Sequence, residues 1–400
     1  MRRFFRSGEW VSVARARRFS VLFIAVGLIA ILAVLLTSDG MVDSFGRPLG
    51  TDFSNVHTAG LMILEGDANR AYVPEAQLRV QQEFFDDPEI PFYAWHYPPY
   101  FLIVAAALAL LPYTFSWLTW MGVTLPLYMF AAKRVINQKT ALLASLGFPA
   151  VLINFLHGQN AFLTAALLCG AMLCLRPKPI LAGILIALLA YKPQFGLLLP
   201  IILLAGGFYR TFFAATGALI CLSLFVTLVF GPSIWESFLE SRHFSRSVIL
   251  EAGTTGWYKI QTAFSAVRMW GGPVPLAYSV QTLLALSVII LSIWIWRGRA
   301  DFDLKAASLI AGSLLMTPYM LDYDMVTMAP AMLLVVRFGL RVGWLPYERS
   351  ALALIWIAPV LARPAVQLLA LPVGFLSILA LFLLIVHKAR TQTQPEPVFV

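Results

Sequence analysis

Charge is scarce in this chain of 400 residues: Asp, Glu, Lys and Arg make up 12% of it, about half the share of an ordinary globular protein. Hydrophobic residues make up 60%, and mean hydropathy is +0.80. No water-excluding core of this size hides so much apolar surface, so lipid has to be the solvent. A soluble enzyme, a secreted disulfide scaffold, a coiled coil and a disordered chain are thereby excluded. Cysteine is scarce too. Cys169, Cys174 and Cys221 all lie inside apolar runs and form no CxxC or Cys/His cluster, so they read as packing residues. The chain has no Walker A motif, no Rossmann glycine pattern, no HExxH and no inward nucleotide loop. ATP-driven transport and soluble nucleotide-sugar chemistry lose support accordingly. Asp86-Asp87 has no partner ligand nearby and reads as a loop acid pair, so no metal site is expected.

What is present is a succession of apolar runs. The first, Val21 to Leu36, follows Arg2, Arg3, Arg6, Arg15, Arg17 and Arg18 and has no small-residue cleavage site after it, which reads as an uncleaved first span. Others follow at about 115–132, 140–156, 160–175, 179–191, 194–207, 211–230, 276–296, 304–317, 325–338, 350–362 and 365–387. No internal repeat is evident, and the tail 391–400, with Pro395 and Pro397, reads as a short disordered cytoplasmic end. The fold expected is an all-α polytopic membrane protein of about twelve transmembrane helices. A basic cytoplasmic segment at 1–19 precedes a single transmembrane domain over 20–390.

Segment 98–112 decides the orientation. If it lies in the interface or is re-entrant, both termini are cytoplasmic, and the inner side holds 20 of the 29 Lys and Arg but only 5 of the 20 acids. If it spans, every later loop changes side and only 12 Lys and Arg remain inside. The excess of Lys and Arg in cytoplasmic loops favours the first arrangement. Inner loops are then simple basic connectors. The first outer loop, about 38–97, carries ten acids, a second large one spans about 231–275, and His57, His96, His157 and His243 also face outward.

Function is therefore expected on the outer face. From Asp52 to Gly66 the residues Phe53, Val56, Gly60, Ile63 and Leu64 fall on one stripe, which predicts an amphipathic helix lying on the membrane surface. Asp52 stands at its start. There it reads either as an N-cap or as a general base above the bilayer, with His57 beside it as a substrate-binding residue. A second helix, about Pro74 to Phe85, carries Glu75, Arg79 and Glu83 as a solvated face with ordinary helix ion pairs. Trp95 and Tyr97 read as interface anchors, and His96 as a ligand for a phosphate or a sugar hydroxyl. A turn accounts for Gly158 and Asn160 in the hairpin at 157–160 but does not require Gln159. Lys192, between leucine-rich runs, has to snorkel to water or neutralise an anion. Gln261 and Arg268 close an aromatic and cationic stretch, and Asp322-Tyr323-Asp324 suggests a sugar or cation site at the outer start of a span. This pattern suits an enzyme that takes an activated group from a membrane lipid on the non-cytoplasmic face. A transporter or flippase of lipid-linked sugars is the alternative, but such proteins often carry inverted repeats and midplane polar sites, and neither is evident here.

Several stretches resemble glycosyltransferase family 87, also called domain of unknown function family 2029, over roughly residues 20–340. They are GTDFSNVHTAG at 50–60, HYPPYF at 96–101, HGQNAFLTAALL at 157–168, AYKPQFGLLLP at 190–200, IQTAFSAVR at 260–268 and TPYMLDYDM at 317–325. The resemblance implies a C-type membrane glycosyltransferase fold with amphipathic helices in a large first outer loop. It also implies transfer of a hexose, typically mannose, from a polyprenyl phosphate to a lipid or glycan acceptor, with inversion and without a nucleotide sugar, cofactor or divalent metal. No nucleic-acid partner is implied. The implied setting is a bacterial inner membrane, with the active site facing the periplasm. Asp52 matches the family's first-loop Asp and is implied as the catalytic base. Lys192 and His96, with Arg268 behind them, are implied to stabilise the departing phosphate, while Gln159, Gln261, Tyr323 and Asp324 grip hydroxyls. Some members carry histidine where this chain has Asp322-Tyr323-Asp324. Carboxylates repel phosphate, so a second base or an acceptor-binding role fits that motif better.

Overall fold

The computed structural model describes residues 2–391, so the tail expected to be disordered lies outside the described residues apart from Thr391, which ends a helix. Among the described residues there are helices and isolated bridges but no strand. Among those residues six helices are long and apolar enough to cross a membrane: Val13–Thr37, Tyr209–Phe230, Val274–Arg297, Asp322–Val342, Glu348–Leu369 and Val373–Thr391. A seventh crossing arises if Lys139–Leu146 and Pro149–Leu156 act as one, bent by 44°. Pro149 causes that bend, because its ring forces Phe148 out of helical geometry, to φ −61° and ψ 124°. The remaining apolar segments fall short in length or hydropathy, among them Ala161–Cys174, Pro179–Tyr191 and Pro193–Ala205.

Burial separates the helices into an outer set and a central set. Tyr209–Phe230 leaves Phe213 and Leu228 bare, and Val13–Thr37 does the same with Leu28, Ile29 and Leu36. Such faces fit acyl chains and not water. Phe302–Leu315 and the Asp322–Val342 span are the opposite, enclosed on nearly every side. The Pro99–Ala109 helix has 11 residues, about 16 Å of rise, roughly half of a bilayer's hydrocarbon thickness. It packs against Phe53–Leu64 at Gly60, where any Cβ would run into the Ala105 carbonyl.

Three expectations change here. The helix after Asp52 does not lie on the surface: nine of the 12 residues of Phe53–Leu64 are buried, because Pro99–Ala109 packs on its apolar stripe at Gly60 and Pro74–Phe85 covers its polar side, where Thr58 donates to Gln77 and His57 meets Phe84. The helix Pro74–Phe85 forms as expected, but no ion pair joins Glu75, Arg79 and Glu83. The last two spans do not divide at Arg363-Pro364. Pro359 and Pro364 are both accommodated inside Glu348–Leu369, and the chain turns at Ala370, with φ 52°, ahead of Pro372. That shift carries Arg363 from a loop onto a helix.

Candidate active site

Loops far apart in the chain meet at one end of the helical bundle, and Asp52 sits among them. Thr51 before it takes φ 31°, an unusual conformation for a non-glycine residue. The resulting turn bonds Phe53 N–H to the Gly50 carbonyl at 2.7 Å and Ser54 N–H to the Thr51 carbonyl at 3.0 Å. Those are the first helical N–H groups, the ones a cap would serve. Asp52 is therefore not the side-chain cap that its position suggested: it has φ −62° and ψ −18° and makes no capping bond.

Its carboxylate is held from the other side. Gly158 takes φ 59°, and a Cβ on it would lie 2.5 Å from that of Phe53, so the 157–160 turn is pressed against the start of the helix. This brings Gln159 Nε2 to 2.8 Å from Asp52 Oδ2, while the Tyr97 hydroxyl donates to Gln159 Oε1 at 2.9 Å. An ionised carboxylate only accepts, so the Gln159 amide has to turn its NH2 to Asp52 and its oxygen to Tyr97. Tyr97, expected as a membrane anchor, is instead buried in this relay.

Two ion pairs lie close by. Lys192 is 4% exposed, and its ammonium donates to Asp324 Oδ1 at 2.6 Å between the rings of Phe195 and Tyr323. The second oxygen of Asp324 accepts from Leu321 N–H at 3.2 Å. Asp322 is fully buried and held by Arg363 through Nε and, at 3.1 Å, through a second nitrogen. The same guanidinium lies 3.0 Å from His157 Nε2. Arg is a donor only, so Nε2 accepts there, and the proton is on Nδ1, 2.9 Å from the Ile153 carbonyl.

These groups border a cavity of about 950 Å³. Of the residues picked from the sequence, Asp52, His96, Gln159, Lys192, Tyr323 and Asp324 line it. His57, Gln261, Arg268 and Asp322 do not, and each has a physical reason. His57 is 2% exposed, boxed in by the rings of Phe53, Phe84 and Tyr113, and burial lowers its pKa from 6.5 to about 4. Gln261 is buried, with its amide donating to the Tyr258 carbonyl and its oxygen jammed against Gly374. Arg268 donates to the Gly272 and Glu251 carbonyls at 2.8 and 3.0 Å and lies over Trp257. Asp322 turns away to Arg363. His96 lines the cavity with Nδ1 2.7 Å from the Ser245 hydroxyl, and burial lowers its pKa also to about 4, so it is neutral near pH 7.

Cavity residues that were not picked out include Asn55, Tyr97, Arg242, Tyr258, Lys259 and Tyr319. Asn55 was findable, since it lies three positions after Asp52 on a helix and therefore on the same face. Among the described residues Lys259 and Arg242 carry no ion pair, whereas the neighbouring Arg246 is bound to Glu251 at 2.8 Å. The Lys192–Asp324 pair is buried and neutralised, Asp52 and Lys259 are half-buried, and Arg242 is exposed. Among the described residues no group of three or more His, Cys, Asp and Glu is arranged to hold a metal ion. A second hollow of about 410 Å³ is lined by Arg176, Asp301, Asp303, Arg337 and Arg341, whose acids are already bonded to arginines.

Comparison with protein-family models gives a match to glycosyltransferase family 87 over residues 95–318, more than half of the chain. The matched stretch contains His96, Gln159, Lys192 and Lys259, and leaves Asp52 before it and Asp324 just beyond. No curated protein and no solved structure matched the chain.

Proposed function

The chain belongs to glycosyltransferase family 87 and is a membrane glycosyltransferase, and from that premise we propose that it moves a hexose, mannose first among the candidates, from a polyprenyl phosphate to a lipid or glycan hydroxyl. The observation that carries this reading is Asp52: a carboxylate that caps nothing, is held by Gln159 at 2.8 Å, and opens onto a cavity of about 950 Å³. A base must lie within hydrogen-bond reach of the proton it takes, with its acceptor orbital fixed, and the Tyr97–Gln159–Asp52 relay supplies that orientation.

The reaction then runs as a single displacement. Asp52 accepts the proton of the acceptor hydroxyl, whose oxygen attacks the anomeric carbon. The bond from that carbon to the phosphate oxygen breaks, polyprenyl phosphate leaves with the electron pair, and the configuration inverts. The leaving phosphate needs positive charge where its own charge grows. Lys192 is poorly suited to that task, because Asp324 already occupies its ammonium at 2.6 Å. Arg268 is bound to carbonyls. The unpaired Lys259 and Arg242 suit it better, with His96 as a neutral hydrogen-bonding neighbour. In this reading the phosphate meets Lys259 and Arg242 while the sugar reaches Asp52. Tyr323 and Asp324, which also line the cavity, are then available to the sugar's hydroxyls. The charge distribution across the loops supports a periplasmic site in a bacterial inner membrane, with both termini cytoplasmic.

The test uses the full chain in lipid nanodiscs, a panel of polyprenyl-phosphate sugars and an envelope glycolipid extract as acceptor, following release of polyprenyl phosphate. One donor should be consumed by the wild type and spared by an equally folded Asp52→Asn. Consumption of no donor sinks the proposed reaction and turns attention to flipping of lipid-linked sugars. If Asp324→Asn abolishes transfer and Asp52→Asn does not, the base is Asp324 instead.

A further inference from the structure

Asn55 is the one cavity-lining residue, among those described, that carries a buried polar side-chain atom without a hydrogen-bond partner. The residue is 4% exposed, and its Oδ1 is the orphaned atom. Other orphans lie nearby, on Thr51, Ser54 and His57, but none of those residues borders the cavity. Buried polar groups are almost always paired, since leaving one unpaired costs the desolvation of that group with nothing in return. An amide is the wrong residue to wall this part of the cavity unless something polar arrives there. Leucine has nearly the same branched shape and would carry no such penalty.

The position of Asn55 says what arrives. Asp52 and Asn55 stand three residues apart at the start of one helix, so their Cβ atoms are neighbours, roughly 5–6 Å apart. The group held at Asp52 is the hydroxyl about to lose its proton. The terminal torsion of an Asn side chain is soft, so the amide can offer either its oxygen or its NH2. A hydroxyl both donates and accepts, and it can therefore satisfy either end.

We propose that Asn55 binds a second hydroxyl of the acceptor, next to the one that Asp52 deprotonates, so that the acceptor is a polyol presenting adjacent hydroxyls, such as a sugar ring, and not an isolated alcohol. The proposal rests on the glycosyltransferase reading and on Asp52 as its base. Asn55 is buried and unpaired in the free protein because its partner is part of the substrate. The same feature makes the free protein less stable than it would be with an apolar side chain there.

That double consequence gives the experiment. Asn55→Leu and Asn55→Ala are compared with wild type in nanodiscs, measuring thermal unfolding without ligands and the kinetics of sugar transfer. The donor is the polyprenyl-phosphate sugar that the wild type consumes, and the acceptor probe is the envelope glycolipid extract. Asn55→Leu should unfold at the same temperature as wild type or higher, while its apparent KM for the extract rises about ten- to hundredfold, the effect of one or two lost hydrogen bonds. Its KM for the donor should stay nearly constant. A fall in unfolding temperature together with the rate makes Asn55 a structural group and overturns the proposal, and so does an unchanged acceptor KM. In either case a wild type that transfers sugar keeps the enzyme reading. A wild type inert with every donor ends both.

Discussion

Gln159→Leu is the sharpest test of how the base is held. The substitution keeps the side chain's bulk but removes the donor at 2.8 Å from Asp52 Oδ2, and it also strands the Tyr97 hydroxyl that donates to Gln159 at 2.9 Å. A hydrogen bond to a charged group contributes about 1.5–3 kcal/mol, which corresponds to a fall in kcat of roughly ten- to a hundredfold if the carboxylate then turns away from the reacting hydroxyl. Tyr97→Phe removes only the outer link of the relay, a neutral bond worth about 1 kcal/mol, and should cost about fivefold. The assay is release of polyprenyl phosphate in nanodiscs at saturating donor, with thermal unfolding measured in parallel to set aside variants that fail to fold. The decisive comparison is a double-mutant cycle. In an Asp52→Asn background there is no base left to orient, so Gln159→Leu should have almost no further effect, a coupling well above the ~0.5 kcal/mol scatter of independent sites. Full additivity would mean that Gln159 acts on the substrate elsewhere in the cavity. A Gln159→Leu enzyme with wild-type kcat, alongside a dead Asp52→Asn, would refute the relay outright.

Other consequences of the structure are open to measurement. Lys259→Ala should raise the KM for the donor about tenfold and more at low salt than at high, as expected for loss of an unpaired cation that meets phosphate, and an unchanged donor KM at every ionic strength would remove it from the phosphate's neighbourhood. Arg363→Met leaves the fully buried Asp322 without its partner and should destabilise the protein by about 3–5 kcal/mol, whereas the double variant with Asp322→Leu should recover most of that loss, read from unfolding midpoints. Stability should also fall in acid. His57 titrates near 6.5 when unfolded and at about 4 when buried, so the unfolded state binds the proton first as pH drops. The stabilisation is complete above pH 6.5, declines towards pH 4, and amounts to about 3 kcal/mol. His96 acts with the same sign. His57→Leu should flatten that part of the pH profile, and a profile identical to wild type would show that the buried imidazole is not its source.

The amino-acid sequence by itself determined the solvent and the helical class. Those follow from composition and from runs of one residue class, and each is a local property: an apolar run of sufficient length has to leave water wherever it lies. It also marked Asp52, Gln159 and Lys192, because a polar side chain among apolar neighbours needs a partner and therefore stands out. The identity of each partner belongs to the tertiary structure. Gln159 meets Asp52 across 107 residues and Lys192 meets Asp324 across 132, and no periodicity within a helix reports on such separations. The same limit explains the corrections. Asp52 looked like a cap because the positive φ at Thr51 cannot be read from residue types, and His57 looked like a ligand because the rings that enclose it come from Phe84 and Tyr113. Arg363 passed unnoticed as a loop residue because Pro364 reads as a break, yet packing holds that proline inside a helix and sets the guanidinium beside Asp322. In a low-dielectric interior a charge is tolerated only where another meets it, and which charges meet was decided when the helices packed.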